Sequence, residues 1–230
     1  MNKYLLTLLL TLCSPLALAI AICDDTMPRT SPSSRFLDRG NGTVTDRASG
    51  LTWMRCQLGQ SWQNGSCSGE PTRLYWQQAL LTAERIRTEP SHALHGFGGH
   101  TDWRLPTIKE LISILESACY KPALNETLFP RAMAGDGKEV NDGYVYLWSS
   151  TPVPASKGVA YLDITSGAVG MRAPGSWAKQ VLLVRRDVRA GIPLPGLLPN
   201  GLFVVEGVKK ASNYVTLCRF RQVLRAGALA

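Results

Sequence analysis

Two tryptophans in this chain stand where a ligand could reach them. Trp62 and Trp177 lie in polar, glycine-bearing stretches, and an indole face offers a stacking platform to the C–H face of a sugar. Lys157, Arg172 and Lys179 flank an expected hairpin and an expected last strand on either side of Trp177. Guanidinium and ammonium donors there would suit sulfate or carboxylate groups. These five residues are the expected ligand contacts. His92, His95 and His100 have the three- and five-residue spacing that can hold zinc. No Cys or Glu completes a familiar ligand set, so no metal site is expected. His100 should pack or hydrogen-bond within its loop, with His92 and His95 exposed. Asp38, Asn41 and Asp46 place oxygens around a glycine turn, a faint echo of a calcium loop. Turn formation alone explains those residue types. The expected cofactor list is therefore empty, calcium at this turn being the only candidate. Gly-x-Ser-x-Gly, His-Glu-x-x-His and a phosphate loop are absent from the sequence, so the expected chemistry is binding.

The elements that must position these groups are legible in outline. Thr107 and Glu110 form a Thr-x-x-Glu capping box behind Pro106, and Ile108, Leu111, Ile112 and Leu115 follow at helical spacing. A helix from Thr107 to about Cys119 is expected. A glycine-rich loop, 96–99, and the Trp103-Arg104 pair lead into it. Trp76, Ala79, Leu80, Ala83 and Ile86 repeat at three and four residues and predict an earlier helix. Before it, the turns Asn41-Gly42 and Ala48-Ser49-Gly50 separate short β-rich runs, which reads as a meander. After it, 144–148, 159–164, 168–171 and 180–185 read as strands. Strands at both ends with two helices and long loops between them predict an α+β class with a mainly antiparallel sheet.

Residues 1–21 have the pattern of an export signal: Lys3, an apolar run over 5–12, and small-x-small sites at Ala17-Leu18-Ala19 and Ala19-Ile20-Ala21. Ile22 occupies the place where a lipid-modified Cys23 would need a small residue. No later segment is long and apolar enough to span a membrane. Five cysteines remain beyond the signal, Cys23, Cys56, Cys67, Cys119 and Cys218, and in an exported chain they read as disulfides. Cys56–Cys67 would pin a short polar loop. Cys23–Cys119 would tie a Pro- and Ser/Thr-bearing linker, 22–34, to the end of the capped helix, with Cys218 left over. Beyond residue 188 the texture changes. Arg189, Lys209, Lys210, Arg219, Arg221 and Arg225 face Glu206 alone, within an overall net charge of +8. A detachable, poorly ordered basic tail is expected over 188–230. It would favour anionic surfaces; nucleic acid is not an expected partner of an exported chain.

The ordered motifs resemble one family. Arg35-Phe36, Asn41 to Asp46 and Gly50 to Cys56 come first. Gly59-Gln60, Trp62, Cys67, Trp76 with Ala79-Leu80, Gly96 to Leu111, and Trp148 to Thr151 follow, closing at Val184-Arg185. Together they are similar to the Lcl C-terminal domain family over about 35–187. The resemblance implies a C-type-lectin-like fold in an exported bacterial protein, and founding members that bind sulfated polysaccharides in adhesion. It also implies that Trp53, Trp76, Trp103 and Trp148, at the family's motif positions, belong to the core. The collagen-like stem of the namesake adhesin is absent here, as are the Glu-Pro-Asn and Gln-Pro-Asp motifs of calcium-dependent lectins. The wider superfamily includes cysteine-dependent oxidases, but the cysteines here read as structural and no enzyme is expected. The leading expectation is an exported, non-catalytic recognition or adhesion domain, in the periplasm, at the surface or secreted. Its partner would be an anionic glycan, sulfated ones included, or a cell-surface protein. The alternative is a structural or pilus-associated component that binds protein and no glycan.

Overall fold

The computed structural model describes residues 21–134, 143–186, 202–209 and 218–225. The signal expected over 1–21 lies outside these residues except for Ala21. The chain divides into two units, the first ending at Arg185 and the second beginning at Arg186. In the first, the strands in chain order are β1 (Ile22–Cys23), β2 (Phe36–Asp38), β3 (Thr43–Asp46), β4 (Leu51–Met54), β5 (Ser61–Gln63), β6 (Ser66–Ser68), β7 (Cys119–Tyr120), β8 (Tyr146–Val153), β9 (Gly158–Asp163), β10 (Val169–Arg172) and β11 (Val184–Arg186). Two α-helices, α1 (Trp76–Thr88) and α2 (Ile108–Ser113), lie between β6 and β7. The architecture is α+β, with antiparallel pairing dominant. One sheet runs β11-β4-β3-β2 and another β10-β9-β8, with β1-β7 and β5-β6 as separate two-stranded pairs.

The segment from Lys179 to β11 holds these sheets together. Gln180 makes two strand-like hydrogen bonds with β8, its carbonyl accepting from Trp148 N–H and its N–H donating to the Tyr146 carbonyl, both 3.0 Å. Further on, the Leu183 carbonyl accepts from Met54 of β4 at 3.0 Å, and Val184 exchanges bonds of 2.9 and 3.0 Å with Arg104. The run Val181-Leu182-Leu183-Val184 is completely buried. It is covered on both faces, so its sequence is continuously apolar rather than alternating. The alternation appears in the packing. Leu182 and Val184 join a core with Val44, Trp53, Leu111, Leu147 and Leu162, while Val181 and Leu183 join a second core with Met54, Ala79, Ile86, Trp103 and Trp148. Neighbours Trp53 and Met54 of β4 split in the same way, as do Leu147 and Trp148 of β8. Three adjacent extended segments thus form a wall between two cores, each feeding both.

Helix α1 buries Ala79, Ala83 and Ile86, the stripe that its sequence predicts. The capping box of α2 is formed: Glu110 N–H donates to Thr107 Oγ1 at 3.3 Å, and Thr107 N–H donates to Glu110 Oε2 at 2.8 Å. The helix stops at Ser113, however, and not near Cys119. The cause lies in the N-terminal segment. Cys23 and Cys119 are bonded, β1 pairs with β7, and the Glu116 carboxylate accepts from Thr30 N–H at 2.9 Å and Ser31 N–H at 3.1 Å. Continuing the helix would withdraw Glu116 and Cys119 from these partners. The same contacts correct the linker reading of 22–34: Ser31 is buried, and the segment is a strap laid on the domain. The second expected disulfide, Cys56–Cys67, is also formed and closes the β5–β6 hairpin.

The tail beyond 188, expected to lack order, contains a hairpin. Strand β12 (Leu202–Lys209) pairs antiparallel with β13 (Cys218–Arg225) from Leu202↔Arg225 to Lys209↔Cys218. Val204, Val205, Val208, Phe203 and Phe220 have strong β preference. Apolar residues at both odd and even positions of β12 hide the period-two signal. The rest of the tail, and the state of the Cys218 thiol, lie outside what is described.

Glu116 gives the strap a measurable signature. Burial pushes its carboxyl up, but the N–H donors of Thr30, Ser31 and Ala118 outweigh this and hold it below the ordinary carboxylate value. A depressed folded-state pKa stabilises above the unfolded value, and that contribution is lost as pH falls through the folded one. Glu116→Gln should therefore cost about 1–3 kcal/mol at neutral pH, and the difference from wild type should shrink on acidification. Denaturant unfolding at a series of pH values checks this. A variant as stable as wild type at pH 7 would show that Glu116 does not hold the strap.

Candidate functional site

Parity along the wall decides where Lys179 goes. It shares the alternation of Val181 and Leu183, so its side chain enters the face that holds Trp148. Although Lys179 is only 2% exposed, its ammonium lies among four aromatic rings. Nζ is 4.2 Å from the Tyr161 centroid, 4.8 Å from Tyr146, 4.9 Å from Trp148 and 5.4 Å from Trp177. Those distances are within cation–π range. The rings also order one another. Tyr161 meets Tyr146 and Trp148 edge to face at 5.3 and 6.2 Å, and Tyr144 stacks parallel to Tyr146 at 6.1 Å. The Trp148 indole N–H donates to the Leu74 carbonyl at 2.8 Å, fixing its plane.

Glycine makes room for the box. Gly170 of β10 pairs directly with Tyr161 of β9, and the phenol ring lies across it. A methyl group at Gly170 would come within 2.3 Å of Tyr161 Cζ. Any side chain at that position must therefore displace the ring.

Above this floor is an opening of about 380 Å³, lined by Arg73, Tyr75, Tyr144, Tyr146, Trp177 and Lys179, with Gln180 and Ser176 among its other walls. Leu74 and Lys179 exchange two backbone hydrogen bonds of 2.9 Å, which brings Arg73 and Tyr75 alongside. Tyr75, Tyr144 and Trp177 are each more than 40% exposed, so the rim presents aromatic faces to solvent. The Arg172 guanidinium lies 4.7 Å over the Trp177 ring. Gln180 is buried; its amide N–H donates to the Ala134 carbonyl at 3.0 Å, and its Oε1 has no partner among the described residues. Flat apolar faces beside fixed cations can stack on a ring-shaped ligand and attract an anionic substituent.

Of the five expected contacts, Trp177 and Lys179 line the opening, and Arg172 lies over the Trp177 ring without lining it. Lys157 is exposed in a left-handed turn with φ of 51° ahead of β9 and does not line the opening. Trp62 lies elsewhere, lining a second cleft of about 270 Å³ with Leu58, Leu94 and Phe97. Its ring is covered by the Arg55 guanidinium at 4.3 Å. Trp53, Trp103 and Trp148 are fully buried, and Trp76 is half-buried with its indole N–H on the Ser149 carbonyl at 2.9 Å. His92 and His95, expected to be exposed, are half-buried. His92 Nδ1 accepts from Leu94 N–H, and His95 Nδ1 lies 2.9 Å from the Ile86 carbonyl. They are drawn in because the 91–99 loop folds back on the end of α1. His100 packs edge-on toward Trp103.

The oxygens of the glycine turn are already engaged by protein donors. Asp46 takes Arg35 Nε at 2.7 Å and Ala48 N–H at 2.9 Å; Asp38 takes Gly40 N–H and Arg55, both at 2.8 Å. Sequence reasoning missed Arg73, Tyr75, Tyr144, Tyr146 and Tyr161. The two-residue spacing of Tyr144 and Tyr146 was a usable signal for one shared face. Nothing local marks Tyr75, which arrives through the long-range Leu74–Lys179 pairing.

Fold and opening together define a disulfide-tied α+β domain with a cation-floored aromatic pocket. The chain belongs to the Lcl C-terminal domain family, whose model matches residues 42–185. That span holds β3 to the start of β11 and all the described walls of the pocket; it leaves out the β1 strap and the β12–β13 hairpin. No curated protein and no solved structure matches the chain.

The box predicts its own sensitivity. Gly170→Val should displace Tyr161, weaken the near-UV circular dichroism of the aromatic cluster, and destabilise by about 1–3 kcal/mol, as overpacking does. Adding Tyr161→Ala to the valine variant should relieve part of the cost. Wild-type near-UV signal and melting temperature in Gly170→Val alone would refute the packing of Tyr161 over β10.

Proposed function

We propose that this protein is an exported, non-catalytic recognition domain on a C-type-lectin-like frame, and that it binds an anionic glycan in the Tyr75–Tyr144–Trp177 pocket. One observation carries the reading: exposed aromatic faces surround an opening whose floor is a buried lysine and whose rim includes arginine. A pyranose ring stacks on Trp177 or Tyr144 through its C–H face. A carboxylate or sulfate on that ring lies toward Arg73, Arg172 and Lys179. The reading takes the ligand as held and not turned over, in keeping with the aromatic faces and cations of the described lining. The reading needs no cofactor. Two disulfides and the signal-like N-terminus support export.

A glycan array with sulfated and uronate-bearing oligosaccharides, run at low and at high salt, tests the proposal. Binding should appear at low salt and weaken as salt screens the charges. Trp177→Ala, a change at an exposed ring, should weaken it by about tenfold, equivalent to ~1.4 kcal/mol, with an unchanged melting temperature. If no acidic glycan binds at low salt, the glycan reading fails and a protein-binding structural component takes its place.

A further inference from the structure

Glu126 is half-buried, and its one hydrogen-bond partner among the described residues is a neutral one: the backbone N–H of Ala21 donates to its Oε2 at 2.6 Å. None of the ion pairs among the described residues includes it. Burial pushes its carboxyl up, and the single N–H offsets only part of that, so the group lies above the ordinary carboxylate value. Glu116, with N–H donors from three residues, is shifted the other way. The surroundings of Glu126 are those of a carboxylate short of positive charge.

The segment that carries Glu126 is fixed in place. Ala123 N–H donates to the Ile164 carbonyl at 2.7 Å, and the Asn125 amide donates to the Ser31 carbonyl and Ser33 Oγ, both at 3.0 Å. Asn125 and Glu116 thus hold the far end of the strap, and Cys23–Cys119 holds its near end. Glu126 meets the residue just before β1.

That residue is also where the sequence predicts a cut. Ala19-Ile20-Ala21 places cleavage after Ala21 and frees the Ile22 amine; Ala17-Leu18-Ala19 places it after Ala19 and frees the Ile20 amine. Consecutive residues are about 3.8 Å apart, so either cut leaves an α-ammonium one residue from the nitrogen that Glu126 already contacts. Before the cut this place offers a neutral N–H. Afterwards it offers a full charge with three donors, and charge-assisted hydrogen bonds are about twice as strong as neutral ones.

We propose that Glu126 is the counter-ion of the mature N-terminus, so that signal cleavage itself completes the attachment of the strap. Water hydrolyses the peptide bond; the carboxylate departs with the signal, and the amine left on Ile22 or Ile20 takes up a proton. The precursor lacks this pair and, in a reducing compartment, the Cys23–Cys119 bond as well. The strap therefore locks only on the exported chain. The inference rests on the export reading of the proposed function and is independent of the glycan pocket.

The test uses the full chain expressed with its own signal in a bacterial host. N-terminal sequencing of the exported protein should begin at Ile20 or Ile22. In urea unfolding of that protein, Glu126→Gln should lower the folding equilibrium constant on the order of tenfold. Inserting Gly-Ser between Ala21 and Ile22 moves the ammonium away while the inserted Ser supplies a neutral N–H where Ala21 supplied one; it should cost about as much. In the extended chain Glu126→Gln should then cost little, because Gln still accepts from a neutral N–H, and the two changes should be strongly non-additive. An equal cost of Glu126→Gln with and without the insertion would overturn the pairing, as would no cost in either background or an exported chain that begins elsewhere. A chain retained in the cell with residues 1–21 still attached would overturn the export reading along with it.

Discussion

The structure depends on one buried strand-like segment, 179–184, and on the requirement that its backbone groups find partners. A completely buried peptide must hydrogen-bond on both sides. Here Tyr146 and Trp148 answer on one side, Met54 and Leu58 on another, with Leu74 and Arg104 near the two ends. Those partners come from β8, β4 and the loop after it, the stretch before α1 and the loop before α2. One segment therefore fixes the relative positions of nearly every element in the domain. Because it is covered on both faces, its alternate residues nucleate two cores. The aromatic box follows from the same constraint: Lys179 is the first residue of the segment, and its parity sends it among the rings.

How much of this was legible depended on the range of the interaction. The capping box of α2, the Ala79–Ala83–Ile86 stripe, the turns of the meander and the β9–β10 hairpin are all local patterns, and the sequence displays them. The premature end of α2 was not legible because helical periodicity through Leu115 continues past the place where Glu116 is claimed by Thr30 and Ser31, some 85 residues away. The strap was missed for the same reason: Pro, Ser and Thr read as linker until a distant carboxylate satisfies their N–H groups. Trp177 and Lys179, which line the pocket, and Arg172, which lies over Trp177, are close in sequence, so their proximity was legible. That of Tyr75 and Arg73 was not, since only the pairing of Leu74 with Lys179 brings them there. Trp62 has the loop composition of a ligand contact, but the guanidinium of Arg55 covers it, and a positively charged neighbour one hairpin away leaves no local trace.

The two disulfides play different parts. Cys56–Cys67 closes a short hairpin that is already paired. Cys23–Cys119 joins residues 96 apart in sequence, and a longer closed loop removes more freedom from the unfolded chain. It acts with Glu116 and the β1–β7 pair at one place. In an oxidising compartment the covalent bond and the carboxylate's hydrogen bonds support each other. After reduction, the strap would rest on hydrogen bonds alone.

The pocket is made of two kinds of residue with different freedom to change. Its floor, Lys179, Gln180 and Tyr146, belongs to the wall between the cores, where an inserted residue would exchange the two faces and a changed volume would disturb packing. Its rim, Arg73, Tyr75, Tyr144 and Trp177, stands on exposed or half-exposed positions of loops and strand ends. Drift in the rim can rewrite what the opening accepts without touching what keeps the domain folded. Across relatives, a constant cationic base beneath a variable aromatic collar is the pattern that such a division of labour would leave.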